Sequence, residues 1–372
     1  MARGGGLQNA RNLWRTILAE GGEHRWLAFA RPDVGLGEIG SSAQAEVREV
    51  DPGGALGRLR YQNGAMLRQA REFDADVLFT PMGAGPLMGD WPRVLGWHDS
   101  TVAYPEEYLA SGLSLAERLG EFVRARVARR AARGAARITV QTEAMEKRLS
   151  ALWGVPTDRF VIVPNGPSTF LAGERPAEPD APSGPPLVLV VAEPKMAKNL
   201  EVVPAVLNHL RSADPSIRMT ITCHAPEADT SFGRAFAAAG SPSIDFVGQV
   251  PHAQLGELYR SASAVLLPSW MESFSATYLE AMHFGVPLVV SDRDFARAIC
   301  GDAAEYADPA DAGALAGAVV KVVTIPELRA GLREAGFRRL PAFPNWSQRL
   351  QLYLGALEAA VQSPRSTATR SI

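Results

Sequence analysis

Two doubly wound α/β units joined by a linker are the architecture this sequence predicts, on three observations. Short apolar runs alternate with patterns of helical period; the alternation stops at Gly166 and restarts at Leu187; and 372 residues exceed what one hydrophobic core usually fills. Short runs that are apolar throughout suit strands covered on both faces, which is the setting of a parallel sheet between helix layers.

The first element is a helix, Leu7 to Glu20, with Leu7, Ala10, Leu13, Trp14, Ile17 and Leu18 at helical spacing and Gly21-Gly22 as its stop. Strands follow at Arg25 to Ala30, Asp76 to Thr80, Arg93 to Trp97, Ile138 to Gln141 and Phe160 to Val163, so an N-terminal unit spans 1–166. Residues 167–186 shift to Pro, Gly, Ala and Glu without periodicity and read as a linker. The second unit, 187–342, takes strands Leu187 to Val191, Ile217 to Thr222, Ile244 to Val247, Ala264 to Leu267 and Pro287 to Val290. Its helices start at Asn199, Ala253, Ser275, Asp311 and Pro326. A last helix, Trp346 to Val361 within 343–372, has Asn345 as its N-cap and can pack on either unit, including by crossing back to the first. In such sheets ligands bind at the carboxyl ends of the strands, here in a cleft between the units.

A net charge of −2 and a pI near 6.3 leave no field to gather a polyanion, so nucleic acid is not an expected partner. The two cysteines, Cys223 and Cys300, lack CxxC spacing, which argues against a zinc site or a disulfide framework and for a reducing cytoplasm. Apolar runs such as Leu187 to Ala192 fall far short of the ~20 residues that cross a bilayer. No secretory h-region follows Met1.

The stretch richest in chemistry runs from Pro268 to Pro287. A strand ends at Pro268, a loop carries Glu272, and a helix begins near Ser275. The first N–H groups of that helix have no intrahelical partner and stand at its positive end, which suits a diphosphate; Ser273 and Ser275 are small enough to let it approach. Glu280 lies about one and a half turns in, among Ala276, Leu279, Ala281, Met282 and Phe284. A carboxylate there needs a polar partner, and a ribose diol would supply one. The bland alternative is a loop acid and a surface-helix acid. Lys198 can likewise be an exposed lysine, His98 a satisfied core histidine, and Gly4 to Gly6 a flexible terminus. His224, His252 and His283 read as surface or packing residues.

Glu272 and Glu280 stand in the E-x(7)-E spacing. With Phe246-Val-Gly-Gln, Leu258-Tyr259, Ala264-Val-Leu-Leu-Pro-Ser269, Gly285-Val-Pro287, Val163-Pro-Asn165-Gly166, and Phe343 with Trp346, the chain resembles glycosyltransferase family 4, whose members are retaining enzymes of the GT-B fold. The resemblance implies two Rossmann-like domains facing a central cleft, and transfer of a hexosyl group from a nucleotide-diphosphate sugar to a glycan or lipid-linked acceptor. It implies no metal and no cofactor besides that co-substrate.

By the same resemblance the N–H groups of Phe274 and Ser275 hold the donor phosphates, Glu272 meets the sugar hydroxyls and Glu280 the ribose. Lys198 neutralises the leaving diphosphate, a form of electrostatic transition-state stabilisation. Backbone near Gly248 and Ser269 receives the base, and His98, at a strand end, contacts the donor sugar. Where the family has an arginine this chain has Glu193, with Lys195 as a substitute; where it has a glycine this chain has Ser275. Gly5 and Gly6 fall in its glycine-rich loop, which should follow a first strand. Only three residues precede the glycines, so either Met1 is an internal start or that strand has been dispensed with.

Other readings stay open: a nucleotide-sugar 2-epimerase or a phosphorylase on the same fold, or a non-catalytic protein that binds nucleotide sugars. Arg124, Arg126, Arg129, Arg130, Arg133 and Arg137 precede strand Ile138. They can dock on anionic lipid at the inner face of the membrane. The favoured alternative is a solvated helix face whose Leu115, Leu119, Phe122, Val123 and Val127 pack on the sheet.

Overall fold

Hydrogen bonding joins the apolar runs into sheets that are parallel throughout. The computed structural model describes residues 5–110, 114–168, 184–240 and 242–363. The chain forms two compact units, one of Met1–Ala103, Leu113–Asn165 and Pro344–Ile372, the other of Tyr104–Gly112 and Gly166–Phe343.

In the first unit β1 (Trp26–Ala30) pairs with β2 (Ala45–Glu49). A separate sheet has the order β3 (Leu78–Thr80), β4 (Arg93–Gly96), β5 (Arg137–Val140), β6 (Phe160–Ile162). The sequence pattern misses β2, because Ala45-Glu-Val-Arg-Glu49 carries three charges, has only Ala45 fully buried and has no apolar run. Leu13, Trp14 and Ile17 of helix Gly5–Glu20 share a core with Ala30, Ala45 and Val163, and with Leu350 and Tyr353 of the last helix, Trp346–Gln362. That helix therefore belongs to the first unit; Ala356, Leu357 and Ala360 continue its buried face onto Val94 of β4. Asn345 and Gln348 begin it with a reciprocal capping box.

Helix Leu115–Gly134 does not use its larger apolar residues for packing. It buries Ala128, Ala131 and Ala132, while Leu115, Leu119, Phe122 and Val123 are exposed. Small residues permit close approach of the helix to its neighbour, helix Glu143–Trp153. The expectation that the apolar set packs on the sheet is thus corrected.

The second unit has one six-stranded sheet: β7 (Leu187–Val190), β8 (Arg218–Ile221), β9 (Asp245–Phe246), β10 (Ala264–Leu267), β11 (Leu288–Ser291) and β12 (Ala304–Ala307), in the order β12-β11-β10-β7-β8-β9. Every residue of β7, β10 and β11 is buried, as strands covered on both faces require. Val203, Val206, Leu207 and Leu210 of helix Val203–Ala213 cover the sheet together with Leu315, Val319 and Val322 of helix Ala312–Thr324. Each such side chain contributes about 1.5–3 kcal/mol on burial. The chain builds outward from β7 to β8 and β9, then returns to the other side of β7 for β10, β11 and β12. The strand order therefore reverses between β7 and β10, and the crevice at their carboxyl ends is where ligands of open α/β sheets bind.

The helix expected from Asn199 starts later, at Val203. Asn199 adopts a left-handed conformation (φ 52°), which an asparagine tolerates and an α-helix does not, and two short 3₁₀ turns flank it.

Candidate functional site

The crevice between β7 and β10 is built by one buried asparagine. Asn199, 3% exposed, donates from Nδ2 to the carbonyl of Pro268 (3.0 Å), just after β10, and to that of Pro309 (2.8 Å), after β12. The Trp270 N–H donates to the carbonyl of Ala197 at 2.8 Å. These bonds fix the loop after β7 against the loop after β10. Lys198 Nζ consequently donates to Glu272 Oε1, and Ser269 Oγ donates to the same oxygen at 3.0 Å. Both partners are largely buried, with side-chain exposures of 19% for Lys198 and 11% for Glu272. The Ser269 hydroxyl thereby orients Glu272, and its backbone, the part expected near a base, is not engaged by this bond.

Helix Ala276–His283 starts in the same loop. Its N-cap, Ser275, is buried and makes no capping hydrogen bond with its side chain. Ser273 is half-buried, and Phe274 packs edge-on against Phe343 with ring centres 5.7 Å apart. A lysine and a helix N-terminus at one crevice suit an anionic group. Tyr278, one residue class that the motif does not mark, is fully buried, and its hydroxyl has no hydrogen-bond partner among the described residues. Burial first, then the charge of Glu272, push that hydroxyl well above the usual tyrosine range.

Glu280 is 3% exposed, and its need for polar partners is met within the chain. Ser168 Oγ donates to Oε1 at 2.7 Å and Tyr259 Oη donates to Oε2 at 2.7 Å. Tyr259 in turn stacks on Phe284 at 5.3 Å. Burial and the adjacent Glu280 charge raise the Tyr259 hydroxyl far above its ordinary value. Ser168 carries no motif, so nothing in the sequence marks it as a partner of Glu280.

Gly248 has φ +70°, and its N–H donates to the carbonyl of Cys223 at 3.1 Å. A Cβ at this position would lie 2.9 Å from the His224 ring. The exposed imidazole thus lies against the glycine, a proximity the sequence does not signal. Lys195 pairs with a different acid: its Nζ bonds Glu193 at 2.7 Å, with 61% and 36% of the two side chains exposed.

In the first unit His98 follows β4, half-buried. Desolvation and then the positive charge of Arg349 push its pKa down to about 4, so the imidazole is neutral at pH 7. Arg349 stands in no motif of the sequence. It is 1% exposed, lies 4.0 Å over the Trp346 ring, and donates from Nη2 to Asn165 Oδ1 at 3.0 Å, an oxygen that also receives Asn9 Nδ2 at 3.3 Å. Gly5 and Gly6, expected in a loop ahead of the first helix, form the first turn of helix Gly5–Glu20, which extends two residues further back than its apolar periodicity. Gly4 lies outside the described residues. Among the described residues no three His, Cys, Asp or Glu side chains are grouped to hold a metal ion, and no helix is long and apolar enough to cross a membrane.

Comparison with known proteins places these features in context. Residues 4–166 match the family described as glycosyl transferase 4-like domain, and residues 173–339 match the one described as glycosyl transferases group 1. A glycogen synthase of Mycobacterium tuberculosis (strain CDC 1551 / Oshkosh) is 28% identical over 221 residues, covering 57% of this chain and 52% of that one. The chain thus spans about half the length of the first curated relatives it matches. A phosphatidyl-myo-inositol mannosyltransferase of Mycobacterium leprae (strain TN) is 26% identical over 360 residues, 92% of this chain and 90% of its own. The solved structure of HepE from Anabaena, in complex with UDP and glucose, superposes with a TM-score of 0.71 at 16% identity, over 96% of this chain and 97% of that one, a likeness of fold.

Proposed function

The chain belongs to the GT-B glycosyltransferases, and we propose that within that family it transfers a hexosyl group from a nucleotide-diphosphate sugar to a glycan or lipid-linked acceptor, with retention and without a metal. The observation that carries this reading is the buried Lys198–Glu272 pair at the reversal of strand order between β7 and β10. A bound diphosphate would compete with Glu272 for the lysine. Lys198 then meets the charge that develops on the leaving group, and Glu272, held by Ser269, is released toward the hydroxyls of the sugar. The amides of Phe274 and Ser275, at the uncapped start of helix Ala276–His283, are assigned to the phosphates.

Glu280 is assigned to the ribose, which would replace the Ser168 hydroxyl on Oε1 while Tyr259 keeps Oε2 in place. Gly248 supports the assignment to the base, since a side chain there would meet the His224 ring. His98 takes the sugar-contact role. Its imidazole is neutral at pH 7, so it would contact a sugar as a hydrogen-bonding group and not as a cation. The nucleotide base and the sugar are proposed by class only; HepE was solved with UDP and glucose.

A second reading, a nucleotide-sugar-binding protein without turnover, is favoured by one observation. The position where the resemblance calls for arginine holds Glu193, which occupies the neighbouring Lys195. Both readings are tested by a thermal-shift panel of nucleoside diphosphates and their sugars with chelator present, followed by an acceptor assay. A selective rise in Tm with one nucleotide, then stereoretentive transfer, is the expected result. Donor binding without transfer to any acceptor would select the second reading, and no shift from a folded chain would remove both.

A further inference from the structure

Helix Leu115–Gly134 presents a surface that the proposed reaction does not use. Leu115 is 87% exposed, Leu119 64%, Phe122 56% and Val123 54%, a density of bare apolar side chains unusual for a solvated helix. At 3.6 residues per turn, Leu115, Leu119, Phe122, Arg126, Arg130 and Arg133 fall within about 80° of arc, opposite the buried Ala128, Ala131 and Ala132. The outward face is therefore apolar in its first two turns and basic in the rest.

Charge on this helix is one-sided. It holds six arginines and two glutamates. Both acids are engaged locally: Glu117 closes a capping box with Ser114, and Glu121 pairs with Arg124, which also binds Asp99 at 3.1 Å. Arg126 and Arg130 have no acidic partner among the described residues, and the Arg126 guanidinium lies 4.9 Å over the Phe122 ring, at the seam between the apolar and basic turns.

We propose that this face docks on an anionic phospholipid bilayer. Leu115, Leu119, Phe122 and Val123 enter the boundary between headgroups and acyl chains, and Arg126 and Arg130 bind lipid phosphates. Apolar burial alone would serve many partners; the adjacent unpaired guanidinium groups select a surface of dense negative charge. The arginine stems can follow the apolar contact while their heads remain at the headgroups.

The test is flotation of the full chain with phosphatidylcholine vesicles, with and without about one third phosphatidylglycerol. The expected result is capture by the anionic vesicles only, weakened by high salt. R126Q/R130Q should lower vesicle affinity roughly 30-fold, and L119S/F122S should also weaken it, with the Tm of both variants unchanged because the side chains are exposed. Absence of capture, or capture unaffected by either double variant, overturns the proposal. A soluble protein partner released by L119S/F122S, with no vesicle capture, would reassign the face to a protein interface. The donor-induced rise in Tm is read on the same preparations, so a failure of docking and a failure of the donor reading give different results.

Discussion

Replacing Lys198 with methionine removes one half of the buried ion pair and leaves Glu272 with the Ser269 hydroxyl on Oε1. Unit charges about 3 Å apart attract by about 5 kcal/mol at an effective dielectric of ~20, and desolvation of both groups offsets part of that. Breaking a buried pair costs about 3–5 kcal/mol; with Lys198 one-fifth exposed, the lower end applies, and about 3 kcal/mol is expected for K198M. E272Q should cost about 1–2 kcal/mol, since the lysine can turn partly to water and the amide keeps the serine bond. In K198M/E272Q no uncompensated charge is buried, so the double variant should be more stable than the sum of the two losses by about 2 kcal/mol. Urea unfolding of the four chains with unchanged m values measures this. All three variants should lose transfer activity, although E272Q and the double variant remain folded. Additivity within about 0.5 kcal/mol would show that the two groups are not coupled and would remove the observation on which the donor site rests.

Four further outcomes follow from the geometry. Glu280→Ala removes the acceptor of the buried Tyr259 hydroxyl and should cost about 3 kcal/mol, whereas Tyr259→Phe should cost about 1–2 kcal/mol and weaken the nucleotide-induced shift less than Glu280→Ala does; equal stability of both variants with the parent in urea would refute the bonded carboxylate. His98 titrates near 4 when folded and near 6.5 when unfolded, so the unfolded chain binds the extra proton between these values. Stability therefore falls as pH drops from 6.5 toward 4, by up to about 3 kcal/mol from this group. Arg349→Leu should raise the His98 pKa, and an NMR titration of the parent showing His98 near 6.5 would contradict the buried cation beside it. Gly248→Ala forces a Cβ into a left-handed position 2.9 Å from the His224 ring and should lower stability by about 1–2 kcal/mol while weakening nucleotide binding; a Tm within 1 °C or so of the parent would argue against that packing.

Periodicity was enough to identify the parallel strands β7, β10 and β11, because a strand buried on both faces is apolar along its whole length, and chemistry is then written in consecutive residues. The loop-and-helix stretch around Glu272 and Glu280 was legible for the same reason: its spacing is local. β2 and the edge strand β12 were not, since Ala45-Glu-Val-Arg-Glu49 and Ala304-Glu-Tyr-Ala307 are short and keep polar positions in contact with water. Partnership across distance was also hidden. Lys198 and Glu272 are 74 residues apart, Ser168 and Glu280 are 112 apart, and Arg349 lies 184 residues from Asn165. Such pairs arise from the order of strands in the sheet and from where the last helix packs, and both follow from burial of apolar surface over the whole chain rather than from any run of residues within it. Helix Leu115–Gly134 makes the same point in reverse: its amphipathic pattern is plain in the sequence, yet which face is covered was decided by the three alanines that let it approach its neighbour.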